Sequence, residues 1–268
     1  MLNLHVLASG SKGNATLIEQ TDTHQGFLID CGICKRDFFE RCNGAHFDVA
    51  NLSAIVFTHE HTDHTKGIGV VLRGLAKMDI HPEVYVNPAT YRASKELQSA
   101  LKDYGYTTMD INGEIDIAGC RVFPFKTSHD AVNPCGYRIE HDGDAIGFMT
   151  DTGIVTPTAH DHLQNVRVLA LESNHDERML AACDYPSSTK NRIASAFGHL
   201  SNLQAQTELS SLLSDRLQDV IAMHISENSN TFDLPCDGFK HVLTQESHPA
   251  RVQNGFPRSL VSVTCANQ

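Results

Sequence analysis

Four side chains that commonly bind metal ions fall within six consecutive positions of the sequence, at His59, His61, Asp63 and His64. Their spacing, H-x-H-x-D-H, differs from the helical zinc motif H-E-x-x-H, whose histidines lie at i and i+4 on one helix face. On an extended backbone His59 and His61 share one side, and Asp63 and His64 lie beyond them, where they can serve a second ion. A lone histidine is usually an ordinary polar residue, but the whole cluster predicts a metal site.

The element that positions this cluster is the apolar run at 54–57, directly before it. A short, continuous run that is β-branched or aromatic at its centre predicts a buried strand. The metal cluster therefore follows the carboxyl end of a core strand, which is a rigid place from which to orient side chains.

Further candidate residues follow other predicted strands. Each comes at or shortly after the end of an apolar run: Asp30, His129, Asp151, Glu172 and His224. Together with H-x-H-x-D-H, this order resembles the metallo-β-lactamase superfamily of hydrolases. The resemblance implies a two-ion site with the following ligands: His59, His61 and His129 for one ion, Asp63, His64 and His224 for the other, and Asp151 as a bridge.

The resemblance also implies how such a site works. Two divalent ions can lower the pKa of a shared water and stabilise an oxygen that develops charge. Imidazole and carboxylate ligands suit Zn²⁺, Mn²⁺ or Fe²⁺, and a site without thiolate does not select zinc strongly. In the family, the aspartate at the place of Asp30 braces the metal loop by hydrogen bonds and is not a ligand. An aspartate at the place of Asp151 is typical of glyoxalase-, lactonase- and nuclease-type members, whereas the β-lactamases proper generally have cysteine there.

Several motifs favour a nuclease within this superfamily. Glu172 and His199 are similar to the Glu and His with which tRNA 3′-processing members protonate a leaving oxygen. The stretches 7–14, 172–176, 198–202 and 224–230 together resemble the YycJ/WalJ group, a bacterial subfamily associated with 5′→3′ exonuclease activity on DNA and a proposed role in mismatch repair. The resemblance covers essentially the whole chain. The β-CASP insertion of RNA-processing relatives and the exosite arm of the tRNA-processing enzymes are absent.

The expected reaction is attack on a phosphodiester by a metal-bridging hydroxide. Asp63 would orient the hydroxide, and His199, supported by Glu172, would protonate the departing oxygen. The glycine-rich turn at 8–14 is either a tight connection or a nest that holds an anion. In the second case a terminal phosphate would be held by Ser9, Ser11, Asn14 and Asn228. The expected substrate is single-stranded or 5′-phosphorylated DNA.

Two other functions remain open. One is a small-molecule hydrolase with the same metals, such as a lactonase, thioesterase or cyclic phosphodiesterase. The formal charge of −11 favours it slightly, because non-specific nucleic-acid binding relies on Lys and Arg. Two divalent ions would nevertheless supply positive charge at the site of the phosphate. The other function is that of a catalytically silent metal-binding module or regulatory partner.

The composition is that of a globular protein, with 268 residues, 41% hydrophobic and 20% charged. Strands cluster in two groups that are each followed by helices, and this order alone predicts only an α/β or α+β fold. The resemblance implies a four-layer αββα sandwich in one domain over residues 1–268. Helices are expected at 35–42, 67–77, 88–103, 176–182, 187–196 and 232–245.

Eight scattered cysteines and the lack of an export signal or long apolar run favour a cytoplasmic protein with reduced thiols and no membrane segment. Cys31 and Cys34 form a C-x-x-C that could be redox-active or half of a zinc site, but no second pair lies at zinc-ribbon spacing. The physiological metal and the oligomeric state stay open. So does the question whether His175 joins the acid pair or packs beside it.

Overall fold

The computed structural model describes residues 1–265, in which a first group of strands forms a seven-stranded sheet. These strands are β1 Leu2–Ala8, β2 Ala15–Gln20, β3 Gly26–Ile29, β4 Leu52–Val56, β5 Glu83–Val86, β6 Thr107–Thr108 and β14 Val261–Val263. Their order is β14-β1-β2-β3-β4-β5-β6. The pairs from β14 to β3 are antiparallel, and those from β3 to β6 are parallel.

The second group of strands forms another seven-stranded sheet. These strands are β7 Ile115–Ile117, β8 Cys120–Lys126, β9 Cys135–His141, β10 Asp144–Met149, β11 Val168–Glu172, β12 Asp219–Met223 and β13 Arg251–Asn254. Their order is β13-β12-β11-β10-β9-β8-β7, with parallel pairing from β10 to β13. In both sheets, neighbouring parallel strands therefore end at the same edge, which is where α/β proteins commonly place their sites.

Alternate side chains of the central strands belong to different apolar layers. In β4, Val56 packs into the layer between the two sheets, whereas Ile55 packs with helices on the outer face. In β12, Ile221 lies between the sheets and Val220 packs with helices on the other outer face. Because successive side chains of a strand point to opposite faces, these strands are apolar on both faces. Each sheet must therefore be covered by another layer on both of its faces.

The helices provide the two outer layers. They are α1 Lys35–Gly44, α2 Thr62–Thr65, α3 Ile68–Ala76, α4 Pro88–Ala93, α5 Lys95–Leu101, α6 Pro157–Leu163, α7 Glu177–Ala182, α8 Ser187–Ile193, α9 Asn202–Leu212 and α10 Asp233–Gln245, with a 3₁₀ turn at Val49–Asn51. Helices α1, α3 and α5 pack on the first sheet, and α6, α9 and α10 pack on the second. The arrangement confirms the predicted αββα fold.

The prediction of one helix over 88–103 is wrong. Ser94 has an extended backbone, with φ −96° and ψ 119°, and its hydroxyl accepts a hydrogen bond from the Leu97 N–H at 3.2 Å. A serine side chain competes for nearby backbone groups in this way and favours a helix start over a helix interior. The chain therefore forms two short helices, α4 and α5. Helix α6 was missed, although Thr156 caps it and Pro157 occupies its first turn.

The pair Cys31 and Cys34 forms no disulfide, and all eight cysteines are free thiols. Cys31 is buried while Cys34 is exposed, and burial raises the pKa of the Cys31 thiol. Two thiols in such different surroundings lend no support to a shared redox or zinc site. Within residues 1–265, no helix combines the length and the apolar character needed to cross a membrane.

Candidate metal centre

Five of the predicted site residues lie at or just after the carboxyl ends of parallel strands. Asp30 follows β3, His59 follows β4, Asp151 follows β10, Glu172 ends β11, and His224 follows β12. Asp30, Asp151 and His224 have left-handed backbones, with φ of 61°, 57° and 53°. Such a φ is uncommon outside glycine and tends to occur at functional sites, where the surrounding structure holds it. The chain thus turns sharply at three of these strand ends.

A first group of imidazoles meets where the two sheets approach each other. The ligand atoms of His59, His61 and His129 all lie within 4.8 Å of one another. His59 and His61 come from the segment after β4, and His129 comes from the segment after β8. His129 Nε2 is 3.3 Å from His61 Nδ1. The fold therefore joins residues of both sheets in one group.

A second group adjoins the first. Asp63, His64 and His224 also place ligand atoms within 4.8 Å of one another. Asp151 contacts both groups, because its Oδ1 is 3.7 Å from His129 Nε2 and its Oδ2 is 3.4 Å from His64 Nε2. All seven predicted ligands are thus brought together, in the two groups that the resemblance implies.

Several buried atoms of these side chains have no hydrogen-bond partner within the described chain: His59 Nε2, His224 Nε2 and Asp151 Oδ2. The opposite ring nitrogens do have partners. His59 Nδ1 is 2.9 Å from Thr58 Oγ1, and His224 Nδ1 is 3.0 Å from Glu172 Oε1. Buried polar atoms nearly always have a partner, and a histidine that binds metal typically has its other nitrogen hydrogen-bonded. The residues present therefore fit a pair of divalent cations.

The carboxylates of the centre are held in their charged forms. Burial alone would raise the pKa of Asp151, but the charges of His224 and His64 lower it well below its usual value. Burial likewise opposes ionisation of Asp63, and the imidazoles of His64 and His224 again lower its pKa. Ionised carboxylates beside imidazoles form a donor set that attracts cations.

Asp30 contacts the segment that carries the first ligands. Its Oδ1 accepts a hydrogen bond from the Thr58 N–H at 2.9 Å, and its Oδ2 lies 2.7 Å from His64 Nδ1. The Thr58 hydroxyl also donates to Oδ2, at 2.8 Å. These contacts fix the orientation of the His64 ring and leave its Nε2 directed at the ligand groups, which is what a bracing residue must do.

Glu172 is fully buried and binds two histidines with one oxygen. Its Oε1 is 2.8 Å from His199 Nδ1 and 3.0 Å from His224 Nδ1, and its Oε2 accepts the N–H groups of Thr152 and Leu200. Burial alone would raise the pKa of Glu172, but the charge and hydrogen bond of His199 lower it to about 2. Glu172 therefore orients a candidate ligand as well as the candidate acid.

Two predicted phosphate contacts, Ser9 and Asn14, have internal hydrogen-bond partners. Ser9 is fully buried, and its hydroxyl accepts a hydrogen bond from the His224 N–H at 2.7 Å. Asn14 Nδ2 lies 3.2 Å from Asp63 Oδ2 and 3.0 Å from His64 Nε2. The assignment of Ser9 and Asn14 to phosphate binding therefore stays a prediction, and in this structure their side chains contact the metal segment and His224. Both hold ligand-bearing segments.

The glycine-rich turn packs directly on the backbone of the metal segment. The Asn14 N–H donates to the Asp63 carbonyl at 2.8 Å. Within the turn, Gly13 has a φ of 151°, and an added Cβ there would lie 2.5 Å from the Gly32 carbonyl oxygen. Only a glycine permits this approach. The interpretation of the turn as a tight connection thus accounts for its composition.

The remaining candidates are more accessible. Ser11 and Asn228 are exposed, and Asn228 Nδ2 donates to the Tyr185 hydroxyl at 2.5 Å. Lys12 Nζ is 2.7 Å from Glu227 Oε2, so the glycine-rich turn meets the segment after β12 at this point.

His175 lies outside the acid pair. It is buried, its Nδ1 has no hydrogen-bond partner among the described residues, and the Glu172 oxygens are occupied by other groups. Its carbonyl accepts the Asn202 N–H at 2.8 Å. His175 therefore packs beside the pair.

Three buried asparagines that were given no role join the segments of the site. Asn202 and Asn230 bond through their amides at 2.9 and 3.0 Å, and Asn202 also accepts the Ser173 hydroxyl at 2.8 Å. Asn174 donates to the His224 carbonyl at 2.7 Å. These asparagines belong to the motifs that carry the YycJ/WalJ resemblance, which was the available signal. Their partners became visible only in the folded chain.

Comparison with known proteins places the chain in a family. The model of the beta-lactamase superfamily domain matches residues 26–225. The exodeoxyribonuclease YycJ of Bacillus anthracis is 30% identical, over 91% of this chain and 90% of its own. The exodeoxyribonuclease WalJ of Streptococcus pneumoniae is 32% identical, over 85% and 83% of the two chains. The metallo-β-lactamase fold protein YhfI of Bacillus subtilis superimposes with a TM-score of 0.72 at 15% identity, covering 98% of this chain and 99% of that one.

The chain belongs to the metallo-β-lactamase superfamily and, within it, to the family of the YycJ and WalJ proteins. The likeness to YhfI shows the shared fold alone.

Proposed function

We propose that the chain is a metal-dependent phosphodiesterase that shortens DNA from its 5′ end. The observation that carries this proposal is the pair of fully buried Glu172 and partly accessible His199, 2.8 Å apart, beside the group of candidate ligands. An imidazole held by a carboxylate is suited to protonate a departing alkoxide, which is the leaving group of phosphodiester hydrolysis. The two relatives named as exodeoxyribonucleases support the same reaction class.

We assign the metal ligands as two groups with a bridge: His59, His61 and His129, then Asp63, His64 and His224, with Asp151 shared. When bound, two divalent ions would supply a water of lowered pKa and positive charge beside the phosphate oxygens. Nitrogen and oxygen donors without a thiolate suit Zn²⁺ or Mn²⁺, with Fe²⁺ as a further candidate.

Two different side chains of the site orient the attacking water and protonate the leaving oxygen. Asp63 is partly exposed and ionised, so its carboxylate can accept a hydrogen bond from the attacking water and orient it. Glu172 accepts the hydrogen bond of His199 Nδ1, which leaves Nε2 as the nitrogen that can present a proton to the leaving oxygen. His199 is partly accessible while Glu172 is fully buried. His199 is therefore the member of the pair that meets the substrate.

The DNA end would be held on the side of the glycine-rich turn. Ser11 and Asn228 are exposed and remain proposed contacts of a 5′-phosphate. Lys12 adds a positive charge between them, although it is paired with Glu227. Ser9 and Asn14 serve indirectly, since they hold His224 and Asp63.

The setting of the reaction is part of the same proposal. The two sheets share one apolar layer, which supports one domain over 1–268, whose last three residues lie outside the described chain. Free thiols suit a reducing compartment, so we propose the cytoplasm. A role in DNA repair rests on the YycJ/WalJ resemblance.

The test is digestion of 5′-phosphorylated, 3′-labelled single-stranded DNA with Mn²⁺ or Zn²⁺. We expect the wild-type protein to shorten the strand from its 5′ end, and the Asp63→Ala variant to lose this activity. Asp142→Ala is the matched control, because Asp142 is an exposed aspartate in the turn at the other end of β10. It should cleave like the wild type.

The opposite result is equally informative. Intact DNA after incubation with wild-type protein that carries two metals per chain would overturn the nuclease proposal. The small-molecule alternative, which the formal charge of −11 favours, would then be tested with lactones, thioesters and cyclic phosphodiesters.

A further inference from the structure

An exposed aromatic ring lies at the edge of the metal centre and has no part in the chemistry above. Phe197 is 63% exposed, although it lies only two residues before His199. It lines a cavity of about 480 Å³ together with Val132, which is 58% exposed, and His129, a proposed metal ligand. We call this space the Phe197 cavity. It opens beside the group of His59, His61 and His129.

The walls of the Phe197 cavity combine apolar and polar groups. Phe197, Val132 and Pro134 form apolar wall, while Thr127 and Lys126 add polar groups. Thr127 is only 3% exposed, and its Oγ1 has no hydrogen-bond partner within the described residues. A buried hydroxyl without a partner is unusual. A ligand with a hydrogen-bonding edge would supply that partner.

The segment that carries Phe197 is fixed to the metal centre. The Ser128 hydroxyl donates to the Ala196 carbonyl at 2.7 Å, and the Gly198 carbonyl is 2.9 Å from His129 Nδ1. An added Cβ at Gly153 would lie 2.2 Å from the Ser195 carbonyl oxygen, so the neighbouring segment packs closely against this one. The backbone that presents the ring is therefore held in place, as a binding platform requires.

We propose that the Phe197 cavity binds a nucleobase of the nucleotide next to the scissile phosphodiester. The base would stack on Phe197 with its edge toward Thr127, and Lys126 would lie near the DNA backbone. This inference rests on the proposed nuclease function and names its substrate more closely. A base can enter only when it is free of its complement, and every base has a stacking face. The cavity therefore selects single-stranded ends with little regard to sequence.

The test compares 5′-phosphorylated strands that carry normal nucleotides with the same strands made abasic at the first two positions. We take the loss of one base–aromatic stack as about 1.4 kcal/mol, which corresponds to a tenfold change. We therefore expect Phe197→Ala to lower kcat/KM about tenfold on normal strands and less than about twofold on abasic ones. Phe197→Tyr keeps the stacking face and should remain near the wild type. Leu203→Ala is the matched control, because Leu203 is 61% exposed but does not line the cavity.

Binding gives a second measurement that does not depend on turnover. Strands with phosphorothioate linkages resist cleavage, so their fluorescence anisotropy reports affinity alone. We expect the wild type to bind normal strands more tightly than abasic strands, and Phe197→Ala to lose this difference. Phe197 is exposed, so its truncation removes no core packing, and a thermal melt checks that the variant is folded.

Three results would overturn the inference. They are an equal loss on normal and abasic strands, no loss on either, or a changed oligomeric mass in Phe197→Ala with base discrimination intact. The last result would assign the ring to contact between copies of the chain. If the wild type cleaves no DNA, the nuclease proposal fails, while the anisotropy comparison still reports separately on the cavity.

Discussion

The two ends of strand β10 each carry a buried aspartate, and the surroundings of the two differ sharply. At its start, Asp144 bonds Arg167 Nε at 2.8 Å and Nη2 at 2.7 Å, and it accepts the Leu2 and Ala145 N–H groups at 2.8 and 2.9 Å. Just past its end, Asp151 has an oxygen without a hydrogen-bond partner in the described chain, and imidazoles lie 3.3 to 3.7 Å away. A carboxylate whose oxygens all have hydrogen-bond partners has a structural role, whereas one with an unpaired oxygen can still bind a ligand.

The partners of the two aspartates differ in one further property. Arg167 keeps its positive charge, because Asp144 raises its pKa although burial alone would lower it. Burial lowers the pKa of His224, but Asp151 raises it to about 10; a histidine must nevertheless lose its proton when it binds a metal. The start of β10 therefore carries a permanent ion pair. At its other end, the positive charge of the histidines can be replaced by that of a metal cation.

The largest expected effect concerns activity at Asp151. Asp151→Asn should lower kcat/KM by about a thousandfold, because metal ions contribute several kcal/mol of charge stabilisation at about 1.36 kcal/mol per tenfold. Without metal, the variant should melt within a few degrees of the metal-free wild type, because the imidazoles that face Asp151 can become neutral. Exonuclease assays, metal analysis and thermal melts check this. Full activity with two bound metals would refute the assignment of the bridge.

At the opposite end of β10 the effect should be on stability. Asp144→Ala leaves the Arg167 guanidinium buried without its partner, which costs about 3–5 kcal/mol of unfolding free energy. The folded fraction should keep the wild-type kcat. Urea titration measures the loss. The double variant Asp144→Leu, Arg167→Met is the control and should regain most of the stability, because it removes both charges. A single variant as stable as the wild type would contradict the comparison.

The smallest effect concerns a third buried carboxylate, that of Glu19. Its hydrogen-bond partners are one asparagine and two histidines. It accepts hydrogen bonds from Asn3 at 3.0 Å, and lies 3.2 and 3.0 Å from the rings of His5 and His24. Burial alone would raise the pKa of Glu19, but these hydrogen bonds lower it from 4.5 to about 2. Its contribution to stability is therefore present above pH 4.5 and is lost as the pH falls toward 2.

We expect Glu19→Gln to lose about 1 kcal/mol at pH 7. The difference from the wild type should shrink between pH 4.5 and 2, as measured by urea unfolding at several pH values. A difference that stays constant across this range would show that the charge of Glu19 contributes nothing.

Much of the fold was predictable because apolar runs are local. The strand predicted at 54–57 is found as β4, over Leu52–Val56. Strand β13 was missed, because Arg251–Asn254 is mostly half-exposed and lacks an apolar run. The break at Ser94 was missed because apolar spacing continues through it. Only the extended backbone, stabilised by the contact with Leu97, divides the helix.

The chain itself determined which residues could bind metal and that each lies near the end of a strand, because residue type and periodicity are properties of short segments. Only the tertiary structure determined which other side chains each of these residues contacts. Glu172 contacts both His199 and His224, Ser9 accepts the His224 N–H, and Phe197 borders the His129 group. These contacts join residues up to 215 positions apart. They arise when the two sheets pack face to face, which no local pattern encodes.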